Sequence, residues 1–474
     1  MVSAAVQLGT LADALLARSV RIVGDPLTSV VGVTHDSRSV EPGMLFACLR
    51  GEHHDGHTHG AAAVAAGAVA MLVDHPVALE VPQIVVDDTR QALGPVAAVA
   101  HGHPSRDLLL VGITGTNGKT TTAHLLAAIL RASGRSTEII GTLTGTHTTP
   151  EAPELQRRLA EARAEGRQAV AMEVSSHALA LHRVDGTRFG AAVFTNLGND
   201  HLDLHGTPEE YFRAKARLFT PELTDVGITN VDDPHGRLLL DAASIEMEGY
   251  SRDDATDVEV SADRHAMTWR GRRIEVPLGG SFNLMNTVAA ATVAATMGIE
   301  PDDIVAGLAG AGPVPGRFER VIGPAGAPTV VVDYAHTPDG LDEVLRAARA
   351  VAAGRVVVVF GCGGDRDHRK RPQMGEVATR LADRVVVTSD NPRSEPPDAI
   401  ISAVLAGIDD AARAAKVDVE PDRAAAIALA IDAAGAGDIV VVAGKGHETA
   451  QTTADRVVPF DDRVVARQLL ERAR

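Results

Sequence analysis

Short apolar runs recur along the chain, most of them followed by glycine, hydroxyl or acidic residues. Residues 108–113, 169–174, 191–195 and 226–229 make one series, and 329–332, 356–360, 384–388 and 439–442 a second. Continuous runs of this length, rich in Val, Ile and Ala, predict strands buried on both faces. Segments with helical spacing follow them: 124–130, 286–297 and 302–309 in the first series, and 340–353, 399–411 and 424–433 in the second. Such alternation predicts mostly parallel sheets with helices on their faces. Ahead of both series, 7–17 is helical in pattern, while 30–33 and 44–49 read as strands. The most apolar window, 61–73, is Ala-rich and ends at Asp74-His75-Pro76, so it predicts a helix running into a strand rather than a membrane span. Between 248 and 280 the texture changes to short alternating segments, which predict an antiparallel addition.

The pattern therefore predicts an α/β protein of three domains. An N-terminal α/β domain spans 1–105 and ends near Pro104-Ser105. A central domain with a mostly parallel sheet spans 106–317, and a doubly wound, Rossmann-like domain spans 318–474. A length of 474 residues suits about three ordinary domains. Aromatic residues are only 3% of the chain, so the cores must be built from Ala, Val, Leu and Ile.

A net charge of −17 argues against sequence-independent nucleic-acid binding, which needs clustered Lys and Arg. The Arg-rich stretch Asp365 to Arg371 reads instead as a phosphate or carboxylate contact. Two cysteines, Cys48 and Cys362, make no disulfide framework, and no basic-then-apolar leader opens the chain; both fit a cytoplasmic protein. Four histidines between 53 and 59 lack the spacing of a metal site and read as a solvated loop.

Chemistry concentrates after the run at 108–113. There the chain continues Gly115-Thr116-Asn117-Gly118-Lys119-Thr120-Thr121 into a helical pattern. Strand, Gly-rich turn and helix start make a phosphate cradle: backbone N–H groups and the positive helix end face the anion, Lys119 adds a full charge, and a Thr hydroxyl can reach Mg²⁺. Hard-cation ligands belong at neighbouring strand ends, where Glu173 closes one run and His201 follows another. Lys215 lies among small and apolar residues in an amphipathic segment.

These motifs, with Glu173-Val-Ser-Ser-His177, Asp200-His201-Leu-Asp203, Asp36-Ser37-Arg38, Asn283-x-x-Asn286, Gly316-Arg317-Phe318-Glu319, Asp333-Tyr-Ala-His336, Gly361-Cys-Gly-Gly-Asp365-Arg366 and Gly444-Lys-Gly-His-Glu448, resemble the Mur ligases of peptidoglycan synthesis. The resemblance is closest to their MurE class, the UDP-N-acetylmuramoyl-tripeptide synthetases, and covers nearly the whole chain. It implies an ATP-dependent ligase with an N-terminal UDP-binding domain and a central P-loop ATPase domain. By that resemblance Gly115 to Thr121, Asn283, Arg317, Asp333 and His336 contact ATP, with the site completed on domain closure. Thr120, Glu173, His201 and Lys215 serve two Mg²⁺ sites, and Lys215 carries a CO₂-derived carbamate. An ammonium beside Mg²⁺ would be repelled, whereas its CO₂ adduct is an anion that can hold the metal. Lys119, Lys215, His201 and Glu173 are thus the expected catalytic set.

The resemblance further implies that Ser37 faces the uracil and that Thr148, Thr149, Ser175 and Arg183 hold the muramoyl-dipeptide. The D-Glu carboxylate would take the γ-phosphate, and an amine would displace phosphate from the acyl phosphate. Asp390-Asn391-Pro392-Arg393-Ser394 is similar to the form found in members adding meso-diaminopimelate. Arg393 offers a planar fork to the distal carboxylate that lysine lacks. Arg366 would take a carboxylate too, with Gly444 and Glu448 on the distal ammonium. Two departures stand out: Leu181 occupies a position where glutamine is common, and the segment 141–148 is short. A folate polyglutamate synthase is the rival within the superfamily, opposed by Asp36-Ser37-Arg38 and Asp390-Asn391-Pro392-Arg393. A non-catalytic nucleotide-binding subunit is opposed by Lys119, Glu173, His201 and Lys215 together. The expected partners are small molecules only, with no nucleic acid and no membrane, on a monomer.

Overall fold

The structure is a computed structural model that describes residues 5–15, 19–51, 54–198, 200 and 202–472. Two compact units divide the chain. One comprises 1–115, 134–195 and 209–249; the other comprises 116–133, 196–208 and 250–474. The α/β class with mostly parallel sheets holds in both.

The first unit contains two large sheets, besides an antiparallel pairing of Val6–Gln7 with Ser29–Val30. In the smaller, strands follow the order Val20–Val23, Gln83–Val86, Ala70–Val73, Met44–Ala47, Gly32–Thr34. All neighbours pair parallel except the edge strand Val20–Val23. Helix Thr89–Ala100 starts where Asp88 accepts from the N–H groups of Arg90 and Gln91, and its apolar face closes a core with Leu45, Leu72 and Ile84. The larger sheet runs Glu246–Tyr250, Thr224–Asn230, Phe189–Phe194, Leu109–Thr114, Ala169–Glu173, Thr137–Ile140. Leu109–Thr114 lies centrally, parallel to both neighbours, with Ile113 opposite Glu173 and Thr114 opposite Phe194. Every residue of Ala169–Glu173 is buried, as a parallel strand covered on both faces requires.

The second unit packs helix Lys119–Ala132 against Asn283–Thr296 and Pro301–Ala309. Gly307 makes the second contact possible, since a Cβ there would lie 2.4 Å from the Ile129 Cα. The alternating segments form an antiparallel sheet of Ala255–Val260, His265–Trp269 and Arg272–Val276. A six-stranded sheet runs Glu319–Val321, Thr329–Asp333, Ile439–Ala443, Val356–Phe360, Arg384–Val387, Val417–Val419, parallel but for its first strand. Alternate residues of its valine-rich strands fill two cores, one on each face.

The C-terminal part also departs from the sequence reading in ways that bear on the site. The helix expected over 399–411 is two helices, Pro397–Leu405 and Asp410–Lys416, the second capped by Asp409. Helix Lys370–Leu381 and a hairpin of Ala450–Thr452 with Val457–Pro459 were not anticipated.

One buried ion pair ties this sheet together. Arg423 Nε and Nη2 each donate to Asp462 at 2.7 Å, and both residues are fully buried. The guanidinium also donates to the carbonyls of Ser389 (3.2 Å) and Ala443 (2.9 Å), joining the ends of two strands. Asp462→Ala would strand that cation and is expected to cost about 3–5 kcal/mol in urea unfolding, while Arg423→Met/Asp462→Leu recovers most of the loss.

Candidate active site

The strand Leu109–Thr114 delivers the chain into a loop whose conformation only glycine tolerates. Gly115 has φ 150° and Gly118 φ 87°, and helix Lys119–Ala132 starts directly after. In the second unit this loop is pinned from the side. Thr116 N–H donates to the Asn196 carbonyl and Asn117 N–H to Asn196 Oδ1, both at 2.9 Å, while Gly198 N–H donates to Thr116 Oγ1 at 2.8 Å. Lys119 Nζ donates to the Thr116 carbonyl at 2.9 Å, so its charge rests over its own loop. Thr120 accepts from Arg317 Nη2 at 3.1 Å, and Thr121 is buried in the same turn. Arg317 lies over the Tyr334 ring, 4.6 Å from its centre, and its buried Nε has no partner among the described residues. An anion can satisfy that orphan donor.

The other residues expected at ATP surround this stack. Asp333 accepts from the N–H groups of Phe318 and Ala335, both at 2.7 Å, and burial pushes its carboxyl up. Burial lowers His336, whose Nδ1 lies 3.0 Å from the Tyr334 carbonyl. Asn283 is fully buried, with its amide spent on the Gly279 carbonyl and on Asn286.

In the first unit, Glu173 closes its strand and is 1% exposed. Thr142 holds the carboxylate twice, through N–H to Oε1 at 2.8 Å and Oγ1 to Oε2 at 3.2 Å. Gly141 clears the space, since a Cβ there would sit 2.2 Å from Glu173 Oε1. The short 141–148 segment thus still orients this acid. Thr148 meets Thr142 hydroxyl to hydroxyl at 3.0 Å, and Thr149 donates to the Glu173 carbonyl at 2.9 Å while accepting from Ser175 N–H at 3.0 Å. Arg183 reaches the Thr149 carbonyl and Glu151, and its buried Nε is also without a partner among the described residues. Four expected substrate residues therefore gather beside Glu173. Leu181 sits at the end of the short helix Ser176–Ala180.

Lys215 is 1% exposed, so it does not snorkel to solvent. Its Nζ donates to the Gly115 carbonyl at 2.9 Å and lies 4.4 Å from the centre of the Tyr211 ring. An ammonium is thereby placed at the first glycine of the phosphate loop. His201 lies outside the described residues. Ser37 is half-buried in a turn capped by Asp36, whose carboxyl is brought down to about 2 by hydrogen bonding to Arg38.

On the six-stranded sheet of the second unit, the loops after Val356–Phe360, Arg384–Val387 and Ile439–Ala443 meet at adjoining carboxyl ends. Arg393 takes a left-handed φ of 52° and donates through Nη1 to the Gly364 carbonyl at 2.7 Å. Its N–H bonds the Thr452 carbonyl, Pro392 is buried, and Ser394 donates to Asp365 at 2.6 Å. Gly444, at φ 111°, leaves room for Asp390, whose Oδ2 would be 2.6 Å from a Cβ. Burial pushes the Asp390 carboxyl up. Asn391 donates to Glu448 Oε2 at 2.7 Å, and Arg366 is exposed at the rim. Much of the basic stretch is spent internally: Arg369 on Asp367, Arg371 on Glu395, and Lys370 on the His336 carbonyl.

Comparison with known proteins finds three family models along the chain: "Mur ligase family, catalytic domain" over 29–101, "Mur ligase middle domain" over 113–294, and "Mur ligase, glutamate ligase domain" over 316–446. The UDP-N-acetylmuramoyl-L-alanyl-D-glutamate--2,6-diaminopimelate ligase of Streptomyces avermitilis is 47% identical over 93% of this chain and 92% of its own. The chain belongs to the Mur ligase family. A solved ligase of the same description superposes with a TM-score of 0.69 at 32% identity, covering 98% of this chain and 99% of its own. A folylpolyglutamate synthase from Mycobacterium tuberculosis, solved with ADP and AMPPCP, shares the fold alone, with a TM-score of 0.60 at 21% identity over 73% of this chain and 91% of its own.

The roles of several residues of this Mur ligase escaped the sequence reading. Glu151 bridges Arg183 and Arg90, each at 2.9 Å. Asn196 holds the phosphate loop, and Thr142 holds Glu173. Nothing in local spacing singles them out, because each acts on a residue distant in sequence. His57 is the opposite case, expected in solvent yet buried at its side chain. Its Nδ1 lies 2.6 Å from Asp55 and its Nε2 3.2 Å from Asp74, and its ring stacks on His75. These three residues could offer ligand atoms to a metal, but Arg50 already sits on Asp74 at 2.6 Å and supplies the positive charge. Cys48 and Cys362 are buried thiols, pushed up to about 12 by that burial.

Proposed function

We propose that this Mur ligase uses ATP to join meso-diaminopimelate to the D-Glu carboxylate of UDP-N-acetylmuramoyl-L-alanyl-D-glutamate, in keeping with its relative at 47% identity, which is named a UDP-N-acetylmuramoyl-L-alanyl-D-glutamate--2,6-diaminopimelate ligase. One observation carries the choice of amine: the turn 390–394 and the loop 444–448 are laced together where three parallel strands end, with Arg393 on one and Glu448 on the other. A crevice at carboxyl strand ends is where such folds bind ligands. A guanidinium and a carboxylate there suit the zwitterionic far end of diaminopimelate.

In this reading 1–105 takes the UDP moiety, 106–317 the nucleotide and the acid, and 318–474 the amine. Ser37 faces the uracil, while Thr148, Thr149, Ser175 and Arg183 hold the muramoyl-dipeptide. Lys119 and the loop amides hold the ATP phosphates, and the orphan Nε of Arg317 faces the same anion. Asn283, Asp333 and His336 supply the remaining nucleotide contacts. The D-Glu carboxylate attacks the γ-phosphorus and ADP leaves, giving an acyl phosphate. The amine then adds to its carbonyl, and the tetrahedral adduct expels phosphate to leave the amide. ATP is required because a carboxylate is a poor electrophile in water.

The oxygens of Thr120 and Glu173, with His201, suit hard cations, and Thr142 already orients the acid. Mg²⁺ held there would neutralise phosphate charge during transfer. Buried Lys215 fits the same set once its amine carries CO₂, because the product is an anion. Arg366, Gly444 and Glu448, with Asp390 to Ser394, line the amine's path. UDP-sugar and ATP pools place the reaction in the cytoplasm, and no helix among the described residues is long and apolar enough to cross a membrane. The ligase acts as a monomer.

Phosphate release with UDP-muramoyl-dipeptide, ATP and Mg²⁺ tests the reading. Turnover is expected with meso-diaminopimelate and not with L-lysine; equal turnover would refute the role of Arg393. Thr142→Val removes one of the two donors on Glu173. The Mg²⁺ concentration for half-maximal turnover should then rise about tenfold, the usual consequence of losing an outer-shell partner.

A further inference from the structure

The loop after Ile439–Ala443 carries a cation that no substrate requires. Lys445 is 0% exposed, although it lies between two glycines in a loop. Its Nζ donates to Glu448 Oε2 at 2.9 Å, to the Ala450 carbonyl at 2.7 Å and to Asn391 Oδ1 at 3.2 Å. All three ammonium protons are thereby used inside the protein. Asn391 completes a ring: its Nδ2 donates to the same Oε2 of Glu448 at 2.7 Å, and its Oδ1 also accepts from Thr452 N–H at 2.9 Å. Both contacts on Glu448 fall on one oxygen, which leaves Oε1 as the face for a ligand.

Such an arrangement is costly unless it does something. A lysine taken wholly out of water needs a charged partner, and an apolar side chain could fill the space with less loss. The carboxylate it pairs with is the group assigned to the distal ammonium of the amine. Other charges around Glu448 are Asp390, Arg423 and His447, with Tyr334 close by. Asp390 lies on the adjoining turn, and burial pushes it toward its neutral form.

We propose that Lys445 is a specificity-determining positioning residue, which clamps Glu448 by one oxygen and keeps the other charged and aimed at the ammonium of a zwitterionic amino-acid end. The proposal rests on the reading of Glu448 given above. Burial alone would raise the Glu448 carboxyl, and the Lys445 hydrogen bond and charge, with smaller help from the Asn391 hydrogen bond and His447, leave the group below its ordinary value. Without Lys445 the carboxyl would titrate higher. An ammonium would then bind poorly at low pH and regain affinity as pH rises through the new value.

The test compares the full-length enzyme with Lys445→Met, Lys445→Gln, Glu448→Gln and the Lys445→Met/Glu448→Gln double variant in the phosphate-release assay. The amines are meso-diaminopimelate and 2-aminopimelate, which keeps the distal carboxylate and lacks the distal ammonium. Lys445→Met is expected to raise KM for diaminopimelate roughly 10- to 100-fold, the range for a lost charged hydrogen bond. KM for ATP and for 2-aminopimelate should stay within about threefold. The diaminopimelate penalty should shrink from pH 6.5 to 8.5. The double variant should bind diaminopimelate no worse than Glu448→Gln alone, since the two residues act as one unit. Lys445→Gln keeps a donor without the charge and should fall between wild type and Lys445→Met.

If Glu448→Gln itself leaves KM for diaminopimelate unchanged, the ammonium assignment fails and this proposal with it. If Glu448→Gln raises KM while folded Lys445→Met and Lys445→Gln do not, the proposal alone is overturned. Equal penalties for the two amines, or loss of the native thermal transition in both lysine variants, would likewise overturn it by making Lys445 a purely structural residue.

Discussion

Parallel pairing is the constraint on which the molecule depends. A parallel strand must be reached by a crossover, so its carboxyl end opens into a loop on one edge of the sheet while helices cover both faces. All three large sheets obey this. In each, residues assigned to the site lie at or just after a strand's last residue: Ser37 after Gly32–Thr34, Gly115 and Glu173 on the larger sheet of the first unit, and Asp390 and Gly444 on the six-stranded sheet. The interiors are Val, Ala, Leu and Ile, close to featureless chemically, and that is why so little aromatic content suffices.

Loops at such edges are stretches of backbone whose N–H and C=O groups have left the ladder and must find partners. Here they find them in one another and in buried polar side chains. Asn196 ties down the phosphate loop, Thr142 orients Glu173, and Asn391 bonds both Glu448 and the Thr452 N–H. The same bonds that satisfy the backbone therefore fix the functional groups within each unit, so their local geometry follows from folding. Arg183 and Arg317 are exceptions, each with a buried Nε left over among the described residues, and both lie where anionic substrates are expected.

Much of this was legible from the sequence, because a strand buried on two faces advertises itself as an apolar run and its end as a change of composition. The phosphate loop and Glu173 are legible that way, whereas the turn at 390–394 stands out through the family resemblance. What escaped has a common cause. Helix Lys370–Leu381 opens in the Arg-rich stretch, where Arg371 is buried against Glu395; a charge neutralised by a residue 24 positions away reads as a solvated one. The break near 407 reflects close approach, since a Cβ on Gly407 would lie 1.9 Å from the Pro372 carbonyl. His57 was misjudged for the same reason, its partners Asp74 and His75 lying on the next strand's end. Local pattern reports the burial of apolar groups well and that of polar groups poorly, because only the fold reveals the partner.

Two buried cations of the six-stranded sheet show how the same device can serve different ends. Arg423 is matched by Asp462 on both carboxylate oxygens, and it also donates to two strand-end carbonyls. Both side chains are fully buried, so the pair's contribution is to hold the two strand ends at a fixed spacing. Lys445 is matched by a single oxygen of a carboxylate that is itself partly exposed. A closed pair can only stabilise or destabilise, whereas a pair with one open oxygen transmits its charge to whatever docks there. Since the two hold adjoining loops, with Arg423 on the Ser389 and Ala443 carbonyls and Lys445 on Asn391 and Glu448, the first sets the frame within which the second can select.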